Sequence, residues 1–237
     1  MKISHSLLLI FLLLAASTGY SQTALEYIDQ GIAKGKLHKE SEAITDFNKS
    51  IKIDPKNAFA YYNRAISKYN LADYIGVIAD LDTALEINPK YTLALCIRGN
   101  TKIVINDYAG AITDGTKAIE IDPKNPLAYT IRGNAKGNLQ DYNGAIADYM
   151  KVIELDPSDA YTYCLIGNAK SYLPDNAGAI IDFTKAIEID PENADSYYGR
   201  GLAKIILDQK DGGCLDLRKA IELGRTEAYE TIKELCQ

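Results

Sequence analysis

The sequence predicts an all-α protein, a solenoid of stacked helical hairpins, and three observations lead there. Pro55, Pro89, Pro123, Pro157 and Pro191 stand 34 residues apart, in the contexts KIDPKN, EINPKY, EIDPKN, ELDPSD and EIDPEN, with no insertion or deletion between them. Between successive prolines, apolar residues recur at helical spacing in two segments separated by a turn signal. No stretch alternates in the manner of a strand. A fixed period of this length, with a hairpin inside each copy, marks a stacked helical array.

The chain opens with MKISHSLLLIFLLLAASTGYSQ, where Lys2 supplies a short positive region and Leu7 to Ala16 an uninterrupted apolar core. That is the pattern of a secretory signal peptide over residues 1–21, with small residues at Gly19 and Ser21 before a cleavage point at Gln22. The apolar run is shorter than the roughly 20 residues a spanning helix needs; a retained membrane anchor is the alternative. The first cysteine is Cys96, which argues against a lipoprotein. Without Lys2 the remaining chain has 25 Lys and Arg against 32 Asp and Glu, so the net charge moves from −6 to −7. An acidic chain lacks the basic stripe that nucleic acid requires, and no second apolar stretch approaches membrane length, so no membrane insertion of the mature chain is expected. The expected location is exported, periplasmic or extracellular.

Setting the proline at position 32 divides a domain over 22–237 into six units, 24–57, 58–91, 92–125, 126–159, 160–193 and 194–227, and a capping helix over 228–237. Position 4 carries Tyr27, Tyr61, Leu95, Tyr129, Tyr163 and Tyr197, and position 8 carries Gly31, Ala65, Gly99, Gly133, Gly167 and Gly201. Small residues also fill positions 20 and 27 of the second helix, where they allow close approach of the first helix and of the next unit. Large apolar residues at positions 21, 28 and 30, such as Ile146, Ile153 and Leu155, are expected to fill the space between. Asp73, Asp107, Asp141 and Asp175 at position 16 signal the turn and cap the second helix, which ends at the Asp-Pro or Asn-Pro pair. Units one and six depart from the rule, with Lys39 and Gln209 at position 16 and Gly224-Arg225 in place of Asp-Pro, as terminal repeats do. Pro174 is an irregular proline within a turn. The order aromatic, small, small, aromatic, proline at positions 4, 8, 20, 24 and 32 resembles the tetratricopeptide repeat, over nearly all of 22–237. The resemblance implies a right-handed superhelix.

Lys34, Lys68, Lys102, Lys136, Lys170 and Lys204 fill position 11 without exception, and Asp46, Asp80, Asp114, Asp148, Asp182 and Asp216 fill position 23. Arg64, Arg98, Arg132 and Arg200 at position 7 share the lysines' helix face. A catalytic group seldom needs six copies, whereas a stacking device needs one per unit. Each Asp is therefore expected to pair with Arg or Lys of a neighbouring first helix, in its own or the following repeat, and to fix the register. The alternative is a ladder for an anionic ligand.

Other chemistry is thinly represented. After the leader there is one histidine, His38, read as a solvated turn residue, and there is no CxxC, HExxH or Gly-rich loop between strand and helix. The glycines at position 19, Gly76, Gly110, Gly144, Gly178 and Gly212, read as packing or capping devices. No enzyme activity, cofactor or metal is expected.

In the family it resembles, positions 2, 5, 9, 12 and 13 point into a concave groove lined by the first helices. Carried onto this chain, that implies a groove with Tyr62, Thr130 and Tyr198 at position 5, together with Cys96 and Cys164. Position 9 contributes Asn100, Asn134 and Asn168, and position 13 contributes Asn70, Asn138 and Tyr172. The asparagines offer both donor and acceptor to an extended peptide backbone; a solvated helix face is the other reading. Position 5 has no lysine, so the family's carboxylate clamp for a chaperone C-terminus is not reproduced. The resemblance thus implies a non-catalytic module that binds a protein or peptide segment, or alternatively a structural component of an envelope or secretion complex that uses its ends or convex face.

Cys96 and Cys164 stand two repeats apart at one position, too far for the ~7 Å Cα limit of a bridge. Cys214 begins the last second helix and Cys236 ends the capping helix, which antiparallel packing brings together. The stretch DGGCLDLRKAIELGRTEAYETIKELC also resembles the final segment of exported bacterial tetratricopeptide proteins with cysteines at these two places. A Cys214–Cys236 disulfide is expected, with two buried free thiols as the alternative.

Overall fold

The computed structural model describes residues 23–236, so the expected leader over 1–21 lies outside the described residues. Among these residues there are thirteen α-helices and no strand, in two compact units divided between Pro89 and Lys90. The first unit holds α1 (Ala24–Lys36), α2 (Glu40–Ile53), α3 (Ala58–Asn70) and α4 (Tyr74–Ile87). The second holds α5 (Thr92–Val104), α6 (Tyr108–Ile121), α7 (Pro126–Asn138), α8 (Tyr142–Leu155) and α9 (Ala160–Ser171), then α10 (Asn176–Ile189), α11 (Ala194–Ile206), α12 (Lys210–Glu222) and α13 (Ala228–Leu235). Within each unit every helix packs on the next, and first helices also touch: α1 with α3, α5 with α7, α9 with α11.

Each turn is built from its own residues. In five hairpins the residue at position 15 is left-handed, His38, Ala72, Asn106, Gln140 and Asp208 having φ between 56° and 65°. In the fifth repeat that place is Pro174, whose ring fixes φ near −65°. There α9 is one residue shorter than the other first helices. The aspartates Asp73, Asp107, Asp141 and Asp175 accept from the backbone N–H three residues on, at 2.9–3.0 Å. A Cβ at Gly76, Gly110, Gly144 or Gly178 would lie 2.0–2.2 Å from the capping carboxylate. The position-19 glycine is thus the counterpart of the cap. Lys39 and Gln209 make no side-chain cap.

The core follows the small and large positions. Ala43, Val77, Ala111, Ala145 and Ala179 are fully buried, and a Cβ at Gly31, Gly133 or Gly167 would meet the ring of Phe47, Tyr149 or Phe183 at 2.6–2.8 Å. Position 30 is mixed: Ile87, Ile121, Ile189 and Leu223 are half-buried, whereas Ile53 and Leu155 are exposed. Ile146 and Ile153 do pack against the cluster of Ala145, Tyr149 and Ile166.

All six position-23 aspartates are paired, each with the first helix of its own repeat. Arg64, Arg98, Arg132 and Arg200 donate through Nη2 at 2.5–2.7 Å, while Lys68, Lys102, Lys136 and Lys204 lie 2.8–2.9 Å from the other oxygen. Asp46 pairs with Lys34 and Lys49, and Asp182 with Lys170. The triad therefore fixes the hairpin. The link between repeats comes from the arginine's third nitrogen: Nη1 of Arg64, Arg132 and Arg200 donates to Asn48, Thr116 and Thr184 of the preceding repeat at 2.6, 3.4 and 3.2 Å. With both cationic partners removed, a buried aspartate such as Asp114 would destabilise the fold by about 3–5 kcal/mol, since an unpaired charge remains.

Candidate binding groove

Helices α7, α9 and α11 of the second unit border two cavities. The first, of about 480 Å³, is lined by Asn134, Asn138, Asn168 and Tyr172 together with the rings of Tyr142, Tyr149 and Tyr161. The second, of about 600 Å³, has Asn168, Tyr172, Tyr198, Asn176, Asp195 and Arg225 in its wall. Asn168 and Tyr172 belong to both, so the two join into one surface along repeats four to six.

The polar groups are held in place by short local bonds. Tyr149 donates its hydroxyl to Asn134 Oδ1 at 2.8 Å, and Asn138 donates Nδ2 to the Asn134 carbonyl at 2.9 Å. The exposed Tyr172 ring stacks on Tyr142 at 4.8 Å with the planes 7° apart, a rigid aromatic platform. Burial pushes the phenols of Tyr149 and Tyr161 above their ordinary range, so both stay neutral hydrogen-bonding groups. At the C-terminal end Arg225 pairs with Asp195, lies 3.3 Å from Glu227, and sits 5.0 Å above the Tyr198 ring. Arg225 stands at position 32, where the other repeats have proline.

The remaining candidates are placed elsewhere. Asn100 is half-buried on α5, and Thr130 turns its hydroxyl back to the Pro126 carbonyl at 3.1 Å. Tyr62 and Asn70 belong to the first unit, where Tyr62 stacks with Phe59 and Asn70 donates to Glu40 at 2.7 Å beside a separate cavity of about 250 Å³. Position 5 is not a uniform groove position: Cys96 is fully buried and Cys164 nearly so, packed with Phe183 and Ala203 under the next repeat. Burial raises the Cys96 thiol to about 11, so it stays protonated and unreactive. Tyr198 does border the second cavity, but its hydroxyl is engaged with Thr231 at 3.2 Å. Tyr142, Tyr149 and Tyr161 were the residues that spacing alone did not single out, although Tyr161 occupies position 2 and Tyr142 repeats the Asp-Tyr pair of Asp73-Tyr74 and Asp107-Tyr108.

Cys214 and Cys236 form a disulfide with their Cα atoms 5.8 Å apart, and Cys96 and Cys164 are free. Among the described residues no helix is long and apolar enough to cross a membrane, and no three of His, Cys, Asp and Glu converge as metal ligands would.

Comparison with known proteins gives a consistent set. Residues 133–171 match the family described as TPR repeat, and residues 160–193 the family described as Tetratricopeptide repeat. No curated protein matches the sequence. Similar solved structures include a tetratricopeptide repeat protein from Parabacteroides merdae, 24% identical, TM-score 0.69, over 93% of this chain and 86% of that one. YrrB, described as a TPR protein with an unusual peptide-binding site, is 23% identical with TM-score 0.64, over 79% of this chain and 97% of its own. A chain of the APC/C hetero-tetramer Cut9-Hcn1 is 19% identical with TM-score 0.74, covering 91% of this chain and 43% of that one.

Proposed function

Because the chain is a tetratricopeptide-repeat protein with the all-α superhelical fold of that family, we propose that it is a non-catalytic interaction module that holds an extended segment of a partner protein along repeats four to six. Proteins of this kind generally bind proteins or peptides, and YrrB, which shares the fold, carries a peptide-binding site by its description. The observation that supports the reading most is the surface joined through Asn168 and Tyr172. Its side-chain amides supply donors and acceptors for a peptide backbone, and its tyrosines supply apolar area at small cost in side-chain entropy. The proposed location is exported, periplasmic or extracellular. Two features support it: the leader pattern over 1–21, and the Cys214–Cys236 bridge, which persists in oxidising compartments.

The test is co-purification from the native source with wild type and with an Asn134→Ala, Asn168→Ala double variant. Loss of one partner with an unchanged far-ultraviolet spectrum supports the groove. A partner retained at full level by the double variant places the working surface elsewhere.

A further inference from the structure

In repeats two, four and six the arginine at position 7 does two things at once. Its guanidinium lies over the position-4 tyrosine of the same repeat, 5.4, 5.8 and 5.4 Å from the ring centre for Arg64, Arg132 and Arg200, and it forks onto the position-23 aspartate. Repeat one has Gln30 at position 7, and Lys49 takes over: its Nζ lies 3.1 Å from Asp46 and 5.0 Å above the Tyr27 ring. In these four repeats a cation of the chain itself covers both the ring face and the carboxylate.

Repeat five keeps the tyrosine and the aspartate, Tyr163 and Asp182, and has neither cover. Position 7 is Ile166, buried in the other direction against Ala145 and Tyr149. Lys185, the counterpart of Lys49, is drawn 3.1 Å from Glu188, a pairing that repeat one cannot make because its equivalent residue is Lys52. Asp182 is left with Lys170, at 2.7 Å, as its ion-pair partner among the described residues. Tyr163 and Asp182 line a cavity of about 350 Å³ with Ile181, Thr184 and the paired Lys185 and Glu188, and this cavity shares no residue with the groove. Thr184, at its edge, already accepts from Arg200, which is itself committed to Asp216.

We propose that this cavity is a second contact site, one that takes the guanidinium of an arginine side chain presented by a partner protein. The chain's own repeats show what the site accepts: a planar cation stacked on the tyrosine and forked onto the aspartate. A lysine ammonium provides a point charge without that fork, and the fork gives two charge-assisted hydrogen bonds in place of one. The carboxylates mirror the difference in cover. Two lysines hold Asp46 below its ordinary value, whereas burial with a single lysine leaves Asp182 above it.

The experiment is a titration of the full chain with N-acetyl-arginine amide, followed by amide shifts of Asp182, Thr184 and Lys185 in two-dimensional NMR, with N-acetyl-lysine amide as the control. The expected result is saturable shifts confined to this site, with the arginine compound bound about tenfold more tightly than the lysine one. Asp182→Asn should abolish the shifts while leaving the rest of the spectrum in place. Glu188→Gln, which frees Lys185 to cover Tyr163 as Lys49 covers Tyr27, should weaken binding several-fold without touching the core. Equal affinity for the two compounds, binding retained in Asp182→Asn, or no saturable shift at these residues would overturn the proposal.

Discussion

Phe183 and Gly199 form a matched pair: a Cβ at Gly199 would lie 2.4 Å from the tip of the Phe183 ring. The same two positions in the third and fourth repeats carry the opposite sizes. Gly115 replaces the ring, and Ile131 of the next repeat, only 2% exposed, approaches the space beside Gly99 at 3.0 Å. Between these two junctions large and small trade places, position 24 against position 6 of the following repeat. Alanine favours a helix over glycine by about 1 kcal/mol, yet Gly199→Ala should destabilise the chain by about 1–3 kcal/mol through overpacking. A urea midpoint equal to or above the wild-type value would contradict the pairing. The aspartates make a second prediction at this scale. Asp46, held below 3.8, contributes stability present above pH 3.8 and lost as pH falls through its folded value. Asp182, raised above 3.8, has the opposite sign: its contribution is present below pH 3.8 and is lost as pH rises through its folded value. Carboxyl carbon shifts followed against pH should show Asp182 titrating above Asp46; the reverse order would contradict the difference in cover.

Among the elements, the capped turn recurs in repeats two to five, and its parts were readable because cap and glycine sit at fixed offsets in the sequence. Their reason for occurring together is steric, since the Asp141 carboxylate lies 2.0 Å from where a Gly144 Cβ would stand. A double-mutant cycle follows from this. Asp141→Ala alone should cost about 0.5–2 kcal/mol, and Gly144→Ala should destabilise while Asp141 is present. In the Asp141→Ala background Gly144→Ala should instead stabilise by about 1 kcal/mol; additive effects in thermal melts would rule out the coupling. The faces of the first helices were less legible. Cys164 and Asn168 lie four residues apart on one helix face, but Cys164 is covered by Ala203 of the next repeat and Asn168 is exposed. That outcome depends on how closely the next helix approaches, which no residue of α9 encodes. The role of Arg225 was hidden for a similar reason, because the loss of Asp-Pro is visible in the sequence while its contacts with Asp195 and Tyr198 are tertiary.

At the scale of the whole molecule, the last helix is the part most in need of a fastening, since α13 packs chiefly on α12, with Tyr198 of α11 reaching Thr231 at 3.2 Å, and has no following helix among the described residues. The Cys214–Cys236 bridge closes a separation of 22 residues, and its loss in a Cys214→Ser, Cys236→Ser variant should cost about 3 kcal/mol. Denaturant midpoints with and without reductant check this, and equal midpoints for wild type under both conditions would contradict it. The period of 34 made the helical hairpins legible, and a spacing in space rather than in sequence made the groove less so: Tyr142 and Tyr149 of α8 meet Tyr161 of α9 only once those two helices are packed. The central claim is that this surface, and not the outer faces of the helices, holds the partner. Its most direct test is a photo-crosslinking amino acid placed in the native source at Tyr172, in the groove, and at Leu215, which is 63% exposed and lines neither of its cavities. The account predicts a discrete crosslinked partner from position 172 that disappears with Asn134→Ala and Asn168→Ala, and none from position 215. The same partner captured from both positions, or from position 215 alone, would contradict it.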